Sequence, residues 1–225
     1  MAGIGEPGRY EARVRERIQL SADAFELSLE RPAGFSFLPG QGIKLSIDEG
    51  LEREYSLIGK LDDDHLSICF NVVTNGALSP LLARLEAGAR VSFSGPHGYF
   101  TFQYKGGHPV FVATGMGIAP FVAMVRAGTK GFTLLHGAST VDGLYYRKTV
   151  QPAASKYVAC ITRESGMRGE DPWRYSGRVS DFLRKILAAG IYDFYASGAR
   201  EMVRDVVSIV DERFPGSRVF FEIFF

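Results

Sequence analysis

The chain has 225 residues, 46% hydrophobic and 23% charged, enough for a real core in one large domain or two small ones. A formal net charge of +1 names no polyanionic partner, so a nucleic-acid binder is not expected. Two cysteines, Cys69 and Cys160, with no CxxC pair, exclude a four-cysteine iron–sulfur or zinc site within this chain and suit a reducing, cytoplasmic setting.

The opening MAGIGEPGRYEARVRER has no apolar core, so no secretory signal is expected. Period-two alternation then recurs. Tyr10, Ala12 and Val14 mark one strand, and Phe25, Leu27 and Leu29 a second. Ile43, Leu45 and Ile47 mark a third, and Leu66, Ile68, Phe70 and Val72 another. Between the third strand and the last lies REYSL, residues 53–57, which places a cation, a ring and a hydroxyl on one short strand. Turn signals at Pro32, PGQG, DDD and GPHG separate the runs, which implies an antiparallel barrel or sandwich. One helix interrupts them, with Leu78, Leu81, Leu82 and Leu85 on one face and an end at Gly88.

After YKGGHP the pattern changes. PVFVAT, FTLLHG, YVACIT and DFYASG are continuous apolar strands alternating with helical segments, the signature of a doubly wound α/β domain with a mostly parallel sheet. The expected division is 1–105 and 106–225. Lys and Arg number 11 against 14 acids up to Gly106, and 15 against 11 after it, a sign change that suits a phosphorylated ligand on the second half. PVFVATGMGIAPFVAMV is broken by Gly115, Gly117 and Pro120, so it reads as strand, turn and helix and not as a membrane span. Glycines there permit a tight turn and a close backbone approach. Pro120 suits a first helical turn, and free N–H groups at a helix start accept a pyrophosphate. The four histidines show no metal-ligand spacing, and no metal is expected.

In order, REYSL, NGALSPLL, GPHGYF, ATGMGIAPF, CITRE, YASGAREM and FEIFF resemble the ferredoxin–NADP⁺ reductase family over nearly the whole chain. The resemblance implies a flavin-binding antiparallel Greek-key β-barrel followed by a pyridine-nucleotide domain. On the barrel it implies Arg53 at the flavin pyrophosphate, Tyr55 against the isoalloxazine ring, Ser56 near N5, and Leu57 beside them. Gly76, Ala77, Leu78 and Ser79 would hold the diphosphate, which favours FAD over FMN. Thr114, Gly115, Gly117, Ile118, Ala119 and Pro120 would cradle the nucleotide. Thr162 and Arg163 would hold the 2′-phosphate of NADP(H), with Arg174 or Arg178 as a second cation. Ser197 stands where relatives carry a cysteine bordering hydride transfer, followed by Gly198 and Met202. Glu222 matches a terminal carboxylate, and Phe224 or Phe225 the ring covering the flavin. The catalytic set is thus Ser56, Ser197 and Glu222.

The implied activity is exchange of a hydride between NADPH and FAD, with single electrons passed to a ferredoxin or flavodoxin. A reductase component of an oxygenase system keeps the same fold. A non-catalytic nucleotide-binding subunit is the reading from a different class.

Overall fold

The computed structural model describes residues 8–47, 50–163 and 173–224. The chain divides into two compact units, Met1–Thr101 and Phe102–Phe225.

The first unit holds β1 (Gly8–Gln19), β2 (Ala24–Glu30), β3 (Gly42–Ser46), β4 (Glu52–Ser56), β5 (His65–Asn71), the short helix α1 (Ser79–Leu82) and β6 (Arg90–His97). Their sheet order is β4-β3-β6-β1-β2-β5, every pair antiparallel. A bridge between Leu57 and Ile68, with Ile58 N–H donating to the Ser67 carbonyl at 2.8 Å, links the two end strands into a nearly closed barrel. β1 makes the corner. Gly8–Arg13 pairs with β6 and Val14–Gln19 with β2, and a bulge at Val14/Glu16 bends the strand between the two partners. The alternating residues fill the interior: Val14, Leu27, Leu29, Ile43, Leu45, Ile68 and Phe93 are all buried. Each such side chain contributes about 1.5–3 kcal/mol on leaving water.

The expected long helix after Asn75 is one turn. Beyond Leu82 the backbone tightens, with Leu85 N–H on the Leu82 carbonyl. Gly88 N–H then donates to Val14 and Val14 N–H to the Ala89 carbonyl. Pairing with the bulged strand takes over the groups a longer helix would need. Leu81, expected on the apolar face, is exposed.

The second unit carries β7 (His108–Thr114), α2 (Ala119–Arg126), β8 (Thr133–Ala138), α3 (Arg147–Val150), β9 (Lys156–Ile161), β10 (Arg174–Ser176), α4 (Val179–Lys185), β11 (Tyr192–Ala199), α5 (Arg200–Arg213) and β12 (Arg218–Phe224). The order β10-β9-β8-β7-β11-β12 is parallel throughout. β10 is absent from the sequence pattern, because three residues carry no period. The chain runs outward from β7 through β8 and β9 and then returns to β7's other side as β11. This reversal places the topological switch at the end of β7, where ligands of such sheets sit. One face packs Val112, Leu135, Phe194, Val206 and Phe214 under α4 and α5. On the other, Phe111 stacks on Phe121 and Phe132, and Tyr195 stacks on Phe220 at 4.7 Å between centroids.

Candidate functional site

On the barrel, Tyr55 pairs in register with Ile43 and Arg53 with Leu45, so ring and guanidinium share one strand face. Arg53 lies exposed at the far end of that face, bonded only locally to the Glu52 carbonyl at 2.8 Å among the hydrogen bonds seen. Tyr55 is half-buried, edge-on to Phe70, and burial pushes its phenol up to about 12, the Arg53 charge opposing. Ser56 and Leu57 are buried, the Leu57 N–H held by the Gln41 carbonyl at 2.9 Å. On β1, Arg13 donates to the Gly88 carbonyl, Arg15 pairs with Asp64, and Arg17 donates to the Leu85 carbonyl.

The loop from Val73 to Ser79 is tight. Gly76 leaves no room for a Cβ beside Val73, and Ser79 Oγ accepts the Val73 N–H at 3.0 Å. That leaves the Ser79 hydroxyl hydrogen available to donate. Ala77 is exposed and Leu78 buried in the barrel core. α1 is only one turn long and has Pro80 in it, so its start presents few free N–H groups.

In the second unit, a 3₁₀ turn over Gly115–Ile118 separates β7 from α2. Gly115 has φ +55° and open space where a Cβ would stand. Gly117 is tight against the protein itself. A Cβ there would collide with the Ser197 carbonyl and the Gly198 backbone, so its bareness seats the turn on β11. Ile118, Ala119 and Pro120 are buried and anchor α2. Thr114 Oγ1 accepts the Ala199 N–H at 3.4 Å, and Gly198, at φ +142°, makes room for that hydroxyl and for Met202. Met202 itself packs in the core.

Ser197 is fully buried, and its hydroxyl has no hydrogen-bond partner. An unpaired buried hydroxyl costs roughly 1–3 kcal/mol. Glu222 is its register neighbour on β12, with Oε2 buried. Phe224, half-buried, pairs with Ala199. Phe225 lies outside the described residues.

The ends of β8, β9 and β10 build a polar cleft of about 630 Å³, lined by Ser139, Thr162, Arg163, Ser176, Gly177, Arg178 and Asp181. Backbone bonds fix its walls. Thr162 N–H donates to Ala138, Arg163 N–H to Ser139 at 2.9 Å, and Gly177 N–H to Ile161 at 2.9 Å. Thr162 and Arg163, read together from CITRE, do share this cleft, and Arg178 supplies the second cation. Arg174, at the start of β10, does not line it. Ser176 and Asp181 escaped the sequence reading, because only the short β10 pairing with β9 carries them there. Hydroxyls and two guanidiniums on one wall are the donor types that phosphate oxygens accept from. Among the described residues no cluster of His, Cys, Asp and Glu could hold a metal ion. Among the described residues no helix is long and apolar enough to cross a membrane.

Comparisons with known proteins agree with this layout. Residues 11–102 match the oxidoreductase FAD-binding domain model and residues 111–208 the oxidoreductase NAD-binding domain model. A ferredoxin–NADP reductase B of Sorangium cellulosum is 34% identical over 183 residues, covering 76% of this chain and 70% of that protein. Methane monooxygenase component C of Methylosinus trichosporium is 28% identical over 186 residues, 75% of this chain but only 54% of its own length. Among solved structures, a ferredoxin NADP⁺ reductase of Neisseria gonorrhoeae with bound FAD and NADP superposes with a TM-score of 0.82 at 21% identity, over 96% of this chain and 99% of that one, which is a likeness of fold.

Proposed function

The chain belongs to the ferredoxin–NADP⁺ reductase family of FAD- and NAD-binding oxidoreductases, and from that premise we propose that it draws a hydride from NADPH and delivers single electrons to a ferredoxin or flavodoxin. The observation that carries the nucleotide choice is the cleft holding Thr162, Arg163 and Arg178, a match for a 2′-phosphate that NADH lacks.

FAD, when bound, supplies the chemistry of taking a hydride and releasing electrons singly. The protein's part is placement. Arg53, exposed and uncommitted to any ion pair among those seen, offers a planar fork for pyrophosphate oxygens, and Ser79 offers its hydroxyl hydrogen. Tyr55, half-buried against the barrel core, offers a rigid ring surface, and its phenol stays neutral throughout the physiological range. Ser56 and Leu57 fix the strand beneath it. On the second unit, Gly115 leaves its Cβ side open to a nucleotide. The buried Ser197 hydroxyl, on the strand beside Glu222, is the donor held without a partner for the reacting end of the nicotinamide. Phe224 is assigned the covering ring.

Partner identity follows the relatives by analogy. A second reading, the reductase component of an oxygenase system, is supported by the likeness to the methane monooxygenase component. Two buried thiols, no disulfide, support a reducing, cytoplasmic setting.

Anaerobic reduction of the FAD-loaded protein tests the reading. NADPH bleaches the flavin about tenfold faster than NADH, the ratio expected of one charged contact set. Equal rates overturn the NADPH assignment, and a protein that stays colourless with added FAD overturns the whole reading. Steady-state assays with ferredoxin, flavodoxin and an oxygenase component then separate the two partner classes.

A further inference from the structure

We propose that Asp181 is a specificity-determining residue of the nucleotide cleft, whose carboxylate keeps NADH usable beside NADPH. The inference rests on the reading of that cleft as the adenosine-ribose site. Among the described residues lining it, Asp181 is the one acid, facing a set whose cations are Arg163 and Arg178. It occupies the first turn of α4. Helical side chains lean toward the helix N-terminus, so its carboxylate leans back toward Arg178, and the backbone N–H of Arg178 donates to it at 3.4 Å. Lys185, one turn on, stands 3.7 Å from its other oxygen. Two partners therefore hold a negative group at the wall of a site otherwise suited to phosphate.

The consequences are opposite for the two nucleotides. A 2′-phosphate is close to a dianion at neutral pH, and a fixed carboxylate across the cleft repels it. A free ribose 2′-hydroxyl is a donor, and a carboxylate is its natural acceptor in dinucleotide sites. Two guanidiniums and one carboxylate thus place both recognition chemistries in one cleft. The carboxylate lowers the preference for the phosphorylated form below what Arg163 and Arg178 alone would impose.

Asp181→Asn is the discriminating variant, because its amide oxygen still accepts the Arg178 N–H and the start of α4 survives. Calorimetric titration with 2′,5′-ADP and with 5′-ADP reads the cleft without flavin turnover. At low salt, Asp181→Asn binds 2′,5′-ADP about fivefold tighter, the size of one like-charge contact in high dielectric, and 5′-ADP about threefold weaker. In steady state the NADPH-to-NADH ratio of kcat/KM rises about fifteenfold, carried by the two KM values. A purely structural role for Asp181 moves both ligands in the same direction. That result, or no change in either, overturns the proposal. Wild-type protein that binds 2′,5′-ADP no tighter than 5′-ADP fails at the earlier step and overturns the phosphate cleft itself.

Discussion

Gly117 sits directly on Ser197: a Cβ at Gly117 would collide with the Ser197 carbonyl carbon and oxygen. The glycine-rich turn is therefore held against the strand that carries the buried, unpartnered hydroxyl, and the two features move together. Gly117→Ala forces β11 or the turn to shift. It should cost about 1–3 kcal/mol, the range of overpacked sites, and lower Tm by several degrees. Gly115→Ala has open space for its methyl and a φ of +55°, so it loses only about 1 kcal/mol. Thermal unfolding of both variants checks the contrast, and a Gly117→Ala protein as stable as wild type contradicts it.

In the proposed nucleotide cleft the cations are separable from the remaining contacts. Arg163→Ala or Arg178→Ala should raise KM for NADPH about 10–100-fold, the loss of a hydrogen bond to a charged group, with KM for NADH within about twofold. The difference shrinks at high ionic strength. Steady-state kinetics with both nucleotides at two salt concentrations reads this directly.

On the proposed assignment, Arg53→Ala removes one charge-assisted contact to a diphosphate from an exposed position, and flavin retention should weaken about tenfold or more. The flavin-to-protein absorbance ratio after gel filtration is the measurement. An unchanged ratio removes Arg53 from the site.

Asp193 is nearly fully buried and accepts from Arg218 Nε at 2.7 Å, from its Nη2 at 3.2 Å, and from Gly107 N–H at 3.0 Å. Arg218→Ala leaves that carboxylate with one donor. About 2–3 kcal/mol is the expected loss, below the full cost of breaking a buried pair because the guanidinium is half-exposed. Asp193→Asn combined with Arg218→Met should recover part of it in urea unfolding.

His136 is fully buried, and burial, with the Arg147 charge adding to it, lowers its pKa from 6.5 to about 3. Its Nδ1 meets the Tyr157 hydroxyl at 3.1 Å. Below pH 6.5 the unfolded chain binds a proton that the folded chain refuses. Stability from this residue is complete above that pH and falls as the pH drops toward 3. Between pH 7 and 5 the loss is roughly 2 kcal/mol. His136→Gln should flatten that portion of the urea-midpoint profile, and an unaltered slope refutes the assignment.

The barrel strands were legible because Leu27, Leu29, Ile43 and Leu45 alternate with polar neighbours, and one buried face is enough to impose that period. The parallel strands were legible as unbroken apolar runs covered on both faces. The helix after Asn75 misled, since Leu78, Leu81, Leu82 and Leu85 fit a 3.6 period while competition from β1 for the backbone near Gly88 is invisible locally. Thr162 and Arg163 stood out as a pair, but Ser176 and Asp181 reach the same cleft only through a three-residue strand pairing, and no local pattern encodes that. The packing of Gly117 on Ser197 was not legible, because sequence cannot tell which neighbour needs the missing methyl.

The sheet order also dictates a schedule for the nascent chain. β7 lies inside its sheet, and β8 covers one of its edges soon after it is made. The other edge stays bare until Tyr192 and the strand it begins come to lie beside His108. Closing so long a loop is slow, and an apolar central strand with an open edge is the surface on which chains stick to one another. Until β11 is made, β7 therefore stands as an apolar strand with one edge open to pairing.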